Sequence, residues 1–293
     1  MTISLAQRSR RFAVRVMRHE RSRVAVADAA VADAGVAATH ACDPSRANGT
    51  PLLAPDVDRA ITRLLALRRE LPDVQIHVAT ASLPHPAVIR AVDAFGASFA
   101  VASRGDIDLL EREGVAIGRC LHTRPVKTVA DITGSYLRGI RTFVIDRADE
   151  VAKFQELPGV AVLVRLSFPA PGPSAHLTST SGVAPHDAGA LVGHCLRAGL
   201  RVAGFTFDVG GEAASAEPCT RAIRRTLTLM QRLERAFGIR FDTLDLGGLP
   251  VGDDERVLEL ARVARGIRAA LAHAPSRYRF VIEASRSVAP LGR

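Results

Sequence analysis

The sequence predicts an α/β protein built as a closed, TIM-like (β/α)₈ barrel. Short β-branched runs alternate with amphipathic helical stretches once the pattern becomes regular from Thr50. Helical connections of ten or more residues between strands demand parallel pairing with right-handed crossovers. Several runs are apolar on successive residues, as in Ala161-Val162-Leu163-Val164, which suits strands covered on both faces. The strand count is eight, which favours a closed barrel over an open doubly wound sheet.

The elements follow in order. Asp56 to Arg69 carries Val57, Ile61, Leu64 and Leu65 at helical spacing, with Asp56 as a cap, and places a helix before the first strand. Strands are predicted at Val74–Thr80, Ser98–Ser103, Arg119–His122, Arg141–Ile145, Val160–Leu166, Val202–Val209, Thr243–Gly247 and Arg279–Ala284. Helices are predicted between them at Pro86–Phe95, Gly105–Glu113, Val126–Leu137, Ala148–Glu156, Asp187–Ala198, Pro218–Phe237 and Asp253–Ala272. Residues 1–48 are Arg-rich, then Ala-rich, and end in the breaker stretch Asp43-Pro44-Ser45. They form a basic N-terminal extension, and residues 49–293 form the barrel. No G-x-G-x-x-G follows the first strand, which argues against a dinucleotide site.

Hydrophobic residues make up 47% of the 293, enough for a large core. The net charge of +9 invites a nucleic-acid reading. Its distribution opposes it, because seven arginines crowd between Arg8 and Arg23 and no aromatics interleave with them. Cys42, Cys120, Cys195 and Cys219 show neither C-x-x-C nor metal-ligand spacing and suit a reducing compartment, so a cytoplasmic location is expected. No apolar run reaches the length of a membrane span.

Barrel chemistry sits where strands enter their βα loops. Those ends carry Thr80-Ala81-Ser82, Ser103-Arg104, His122-Thr123-Arg124, Arg165, Asp208, Asp245 with Gly247-Gly248, and Glu283 with Arg286. Backbone N–H groups at Gly247-Gly248, with Arg286 as charge partner, could receive a phosphate. The plainer readings are a simple two-glycine turn, a helix-capping Asp208, structural histidines at His77 and His122, and an exposed His85. No hydrolase triad, no G-x-S-x-G and no metal-ligand grouping is present.

In sequence order, these strand ends resemble the fold-type III pyridoxal-phosphate enzymes, the ornithine/diaminopimelate/arginine decarboxylase family. The resemblance runs from about Gly49 to Pro290. It includes Ala79-Thr80-Ala81-Ser82, Pro84-His85-Pro86-Ala87-Val88 and the "FDVASxxEI"-like Phe99-Ala100-Val101-Ala102-Ser103-Arg104-Gly105-Asp106-Ile107. Pro125-Val126-Lys127, Leu163-Val164-Arg165, Phe207-Asp208-Val209-Gly210, Leu244-Asp245-Leu246-Gly247-Gly248 and Glu283-Ala284-Ser285-Arg286 continue it. The resemblance implies the barrel of alanine racemase and of the N-terminal part of ornithine decarboxylase. It also implies a pyridoxal-phosphate site in which Arg165, Gly247, Gly248, Glu283 and Arg286 match cofactor-binding positions.

Other positions depart from the pattern. The family's aldimine-forming lysine aligns with Thr80, whose hydroxyl cannot form an aldimine. The ring-stacking histidine is Asp208, the aspartate of "FDVAS" is Ala100, the serine after the histidine is Gly211 and the third glycine is Leu249. The family's C-terminal β-domain, with its Cys-Asp pair completing a partner's site, is expected to be absent because the chain stops at Arg293. The resemblance therefore implies a degenerate decarboxylase-like barrel, a pseudoenzyme with a binding or regulatory role, as in antizyme-inhibitor-like relatives. Its expected ligand is a small phosphate-bearing or amino-acid molecule or a protein partner; oligomeric state stays open. The alternative is a working pyridoxal-phosphate lyase of polyamine or lysine metabolism using a residual or non-covalent cofactor site.

Overall fold

The computed structural model describes residues 57–82, 85–168, 181–209, 217–248 and 257–284. Within them the eight predicted strands all form. They are β1 (Val74–Ala79), β2 (Ser98–Val101), β3 (Leu121–His122), β4 (Thr142–Ile145), β5 (Ala161–Ser167), β6 (Arg201–Asp208), β7 (Thr243–Gly248) and β8 (Arg279–Ala284). They pair in sequence order, all parallel, and β1 closes the barrel on β8 through Val74 opposite Phe280 to Val78 opposite Ala284.

The helices are α1 (Val57–Glu70), α2 (Pro86–Ala94), α3 (Arg104–Arg112), α4 (Val129–Leu137), α5 (Ala188–Arg197), α6 (Glu217–Phe237) and α7 (Val257–Leu271). Helix α1 packs between α2 and α7 and so fills the gap in the helical ring beside β8 and β1. It does so with Ile61, Leu64 and Leu67, an i, i+3, i+6 stripe, all buried. Two predicted helices differ. Ala148–Phe154 is a 3₁₀ helix, and α4 begins three residues later than expected because Lys127 is drawn into the interior and only Thr128 can cap.

Local chemistry sets the helix starts. Ser103 Oγ accepts the Asp106 amide at 3.2 Å while Asp106 Oδ2 accepts the Ser103 amide at 2.9 Å, a reciprocal capping box. Thr128 and Asp131 repeat it at α4. His85 caps α2 through Nδ1, which accepts from Ala87 N at 3.3 Å, and Pro86 follows at the first helical position.

Alternation along each strand separates two cores. Ile76, Val78, Phe99, Val101, Phe143, Val162, Val164 and Leu166 face the helices in one large cluster. Leu121, Val144, Ala161, Leu163 and Ala203 form a small cluster inside the barrel. With few aromatics, the outer layer depends on edge and tilted pairs such as Phe205–Phe241 at 5.2 Å and Phe143–Phe154 at 5.3 Å.

Strands β6 and β7 approach so closely at Gly204 that any Cβ there would overlap the Thr243 carbonyl. Gly204→Ala is therefore expected to cost about 3 kcal/mol, since backbone and not a flexible side chain must yield. Urea unfolding measures it; an unchanged midpoint would show that the two strands part freely.

Candidate functional site

Register brings polar residues from four strands to one level of the barrel. Arg165 on β5 lies opposite Thr206 on β6, and Thr206 lies opposite Asp245 on β7. Arg165 falls between Val164 and Leu166, both in the helix-facing core, so alternation turns it to the interior. An irregularity in the β7–β8 ladder between Asp245 and Gly248 then sets Glu283 opposite Gly248.

Asp245 is the centre of this layer and is fully buried. Its Oδ2 accepts the Thr206 hydroxyl at 2.9 Å and its Oδ1 accepts the Gly247 amide at 3.0 Å. It also hydrogen-bonds Glu283 and feels the positive charge of Arg165. Burial nevertheless dominates and pushes its carboxyl up. Thr206, Gly247 and Glu283 thus supply its partners within the layer.

Gly247 has a different job from the one expected of it. Its φ of +65° is a glycine conformation, and it turns the amide inward onto Asp245. That N–H donates within the protein. Gly248 is half-buried, and a Cβ there would meet nothing within 4 Å, so space remains above it.

The β1 end carries no amine. Ile76 and Val78 face the helices, which leaves His77 and Ala79 toward the interior. Thr80 opens a short 3₁₀ turn, is buried, and donates its hydroxyl to the Ala100 carbonyl at 3.2 Å. It ties β1 to β2. Whichever of Ala79, Thr80 and Ala81 takes the lysine register, none can form an imine. Of 39 Lys and Arg residues in the chain only Lys127 and Lys153 are lysine.

Both lysines surround Glu150, which is itself fully buried. The Lys127 Nζ donates to the carbonyls of Arg124 at 2.9 Å, Pro125 at 2.8 Å and Val144 at 2.6 Å, and lies 3.7 Å from Glu150. Lys153 Nζ donates to Glu150 Oε1 at 2.6 Å and to the Lys127 carbonyl at 2.7 Å. Burial draws the Lys127 ammonium down to about 8, opposed by Glu150. With its side chain entirely covered and all three protons engaged, it is a structural pin for the loop after β3.

Asp208 ends β6 opposite Ser167; its side chain, and Gly211, Leu249 and Arg286, lie outside the described residues, as does the 1–48 extension. Among the described residues no three His, Cys, Asp or Glu side chains group to hold a metal, and no helix is long and apolar enough to cross a membrane. A cleft of about 380 Å³ lies at the opposite end of the barrel, beside Val160 and Arg201 at the starts of β5 and β6. Another of about 300 Å³ lies outside, between Asp146, Arg147 and α5. Neither touches the Asp245 layer. Thr206 was not among the residues the sequence singled out.

The chain matches the family described as pyridoxal-dependent decarboxylase, pyridoxal binding domain, over residues 57–290. It is similar to the ornithine decarboxylase of Schizosaccharomyces pombe, 30% identical over 212 residues, covering 71% of this chain and 49% of that one. Antizyme inhibitor 2 of Xenopus laevis is 24% identical over 217 residues, 74% of this chain and 47% of its own length. Among solved structures, lysine/ornithine decarboxylase from Vibrio vulnificus complexed with putrescine superposes with a TM-score of 0.75 at 30% identity, covering 82% of this chain and 64% of that one. The chain thus spans about half the length of the curated relatives it matches.

The two buried histidines give a pH signature. Burial holds His77 and His122 at about 4, below their ordinary 6.5; His122 stacks on Phe143 at 5.6 Å. Unfolded histidines take up protons below pH 6.5 that the folded ones refuse, so stability should fall as pH drops from 6.5 toward 4 and be insensitive to them above. Each contributes up to about 3 kcal/mol across that window. His122→Phe keeps the stacking ring and should remove about half of the histidine slope in pH-dependent unfolding; an unaltered slope would mean that His122 titrates normally in the fold.

Proposed function

Since the chain belongs to the pyridoxal-dependent decarboxylases through their pyridoxal-binding domain, we propose that it is a catalytically degenerate barrel of that family with a binding or regulatory role. The observation that carries this reading is the absence of an amine at the end of β1, in a chain whose two lysines are both committed to Glu150. Removing the covalent anchor is not offset by the groups that remain, because nucleophile and acid–base groups act as a unit. The residues present do not fit a covalently held pyridoxal phosphate.

What remains suits reversible binding. Glu283, half-buried and hydrogen-bonded to Asp245, offers a carboxyl group to a ring nitrogen or an ammonium group. Arg165 supplies positive charge to the same level, and the space over Gly248 leaves room for a small anionic group, with Arg286 as its partner in the sequence. The ligand class this favours is a small phosphate-bearing or amino-acid molecule. Similarity to a protein named as an antizyme inhibitor supports a regulatory role. The described cysteines, Cys120, Cys195 and Cys219, are free and buried, with thiols pushed up to about 11 or 12, in keeping with a cytoplasmic protein.

The test is purified protein mixed with pyridoxal phosphate, followed by visible absorbance and borohydride reduction. The expected result is no imine band and no reduced adduct on Lys127 or Lys153. The two lysines and the α-amino group lie on separate peptides, so peptide mapping distinguishes an adduct on Lys127 or Lys153 from simple modification of the N-terminus. An adduct on either lysine together with release of carbon dioxide from ornithine or lysine would establish the working lyase instead.

A further inference from the structure

The outside of the barrel carries a strongly basic flank away from the Asp245 layer. Helix α6 presents Arg221, Arg224, Arg225, Arg232 and Arg235 along its exposed side, with Thr228 and Gln231 between them. On a helix these positions fall on one arc, a stripe about 21 Å long from Arg221 to Arg235. The adjoining α7 adds exposed Arg262 and Arg265.

Several surface arginines elsewhere in the protein are paired. Arg90 meets Glu113, Arg104 meets Asp108, Arg138 meets Asp108 and Glu111, and Arg277 meets Glu234. Among the described residues, Arg224, Arg225, Arg232, Arg262 and Arg265 have no such carboxylate. The spacing within the stripe is moreover unfavourable to the isolated helix. Arg221 stands i, i+3 and i, i+4 from Arg224 and Arg225, and Arg232 stands i, i+3 from Arg235, arrangements in which like charges repel. Only Arg221 is relieved, by Glu217 at 3.2 Å.

We infer that this α6–α7 flank is a docking surface for an acidic helical segment of a protein partner. A helix bearing Asp or Glu at i, i+3/i+4 and i+7 repeats its carboxylates at about 5.4 Å per turn, the same pitch as the arginine rungs. Guanidinium forks suit carboxylates, and arginine is more weakly hydrated than lysine, so such pairs form at low desolvation cost. The arginine arc itself has no exposed aromatic or large aliphatic, and the helix's exposed Phe237 stands at its last residue on the opposite side, which sets a helical protein segment above single-stranded nucleic acid or lipid. This surface is independent of whatever the barrel mouth binds.

The full chain would be titrated by fluorescence anisotropy with a helical peptide of roughly 20 residues carrying glutamate on one face, with its glutamine counterpart, with duplex DNA of similar length and with phosphatidylserine vesicles. The glutamate peptide should bind best, and less tightly as salt rises. R224E/R225E/R232E should weaken it at least about tenfold, while the charge-matched R69E/R112E/R124E changes it by no more than about twofold. All six positions are exposed, and unchanged circular dichroism and melting of both variants would establish that folding is intact. Equal binding by R224E/R225E/R232E, or tighter binding of DNA or vesicles than of the peptide, would overturn the assignment.

Discussion

A carboxyl group with no contact with water sits near the axis of this barrel, and the surrounding strands are arranged around its needs. Leaving a buried carboxyl unpartnered is prohibitive. Asp245 escapes that cost only because Thr206, Gly247, Glu283 and Arg165 converge on it from four successive strands. Their convergence requires the register of β5 on β6 and β6 on β7, the ladder irregularity before β8, and a glycine able to take a positive φ at 247. The site is therefore largely self-satisfied. A ligand entering it competes with internal hydrogen bonds, which favours selective, reversible occupancy over tight capture.

The fold was legible in the sequence because both signals behind it are local. Short β-branched runs alternating with amphipathic helical stretches located every strand, and β8 came out at the predicted bounds, Arg279–Ala284. Ser103 with Asp106 also declares its helix start through short-range chemistry alone. Arg165, Asp245 and Glu283 were visible as polar residues at strand ends, where a barrel places its chemistry. Thr206 was not, since a threonine in a strand looks like ordinary β-propensity until register sets it beside Asp245. The inward turn of the Gly247 amide was equally hidden, because a two-glycine turn can aim its N–H groups either way. Ala148–Phe154 carries helical spacing, and only the observed hydrogen bonding shows the tighter 3₁₀ winding.

The scarcity of lysine ties the two functional readings together. Cationic side chains in this protein are almost all guanidinium groups, which are permanently charged and cannot serve as amine nucleophiles. That choice leaves no lysine at the end of β1 and gives the outer helices side chains suited to bidentate contact with carboxylates. The two ammonium groups that remain secure one loop, threaded between β3 and β4, through Glu150.

The closure of β1 on β8 also governs when this molecule can become whole. Val74 meets Phe280 only after about two hundred intervening residues have been made, a very non-local contact in the sense that slows folding. Until then the ribosome-bound chain displays an open sheet with two unpaired edges, and helix α1 has only α2 to lean on. Synthesis of β8 is thus the event that turns an open seven-stranded sheet into a sealed ring.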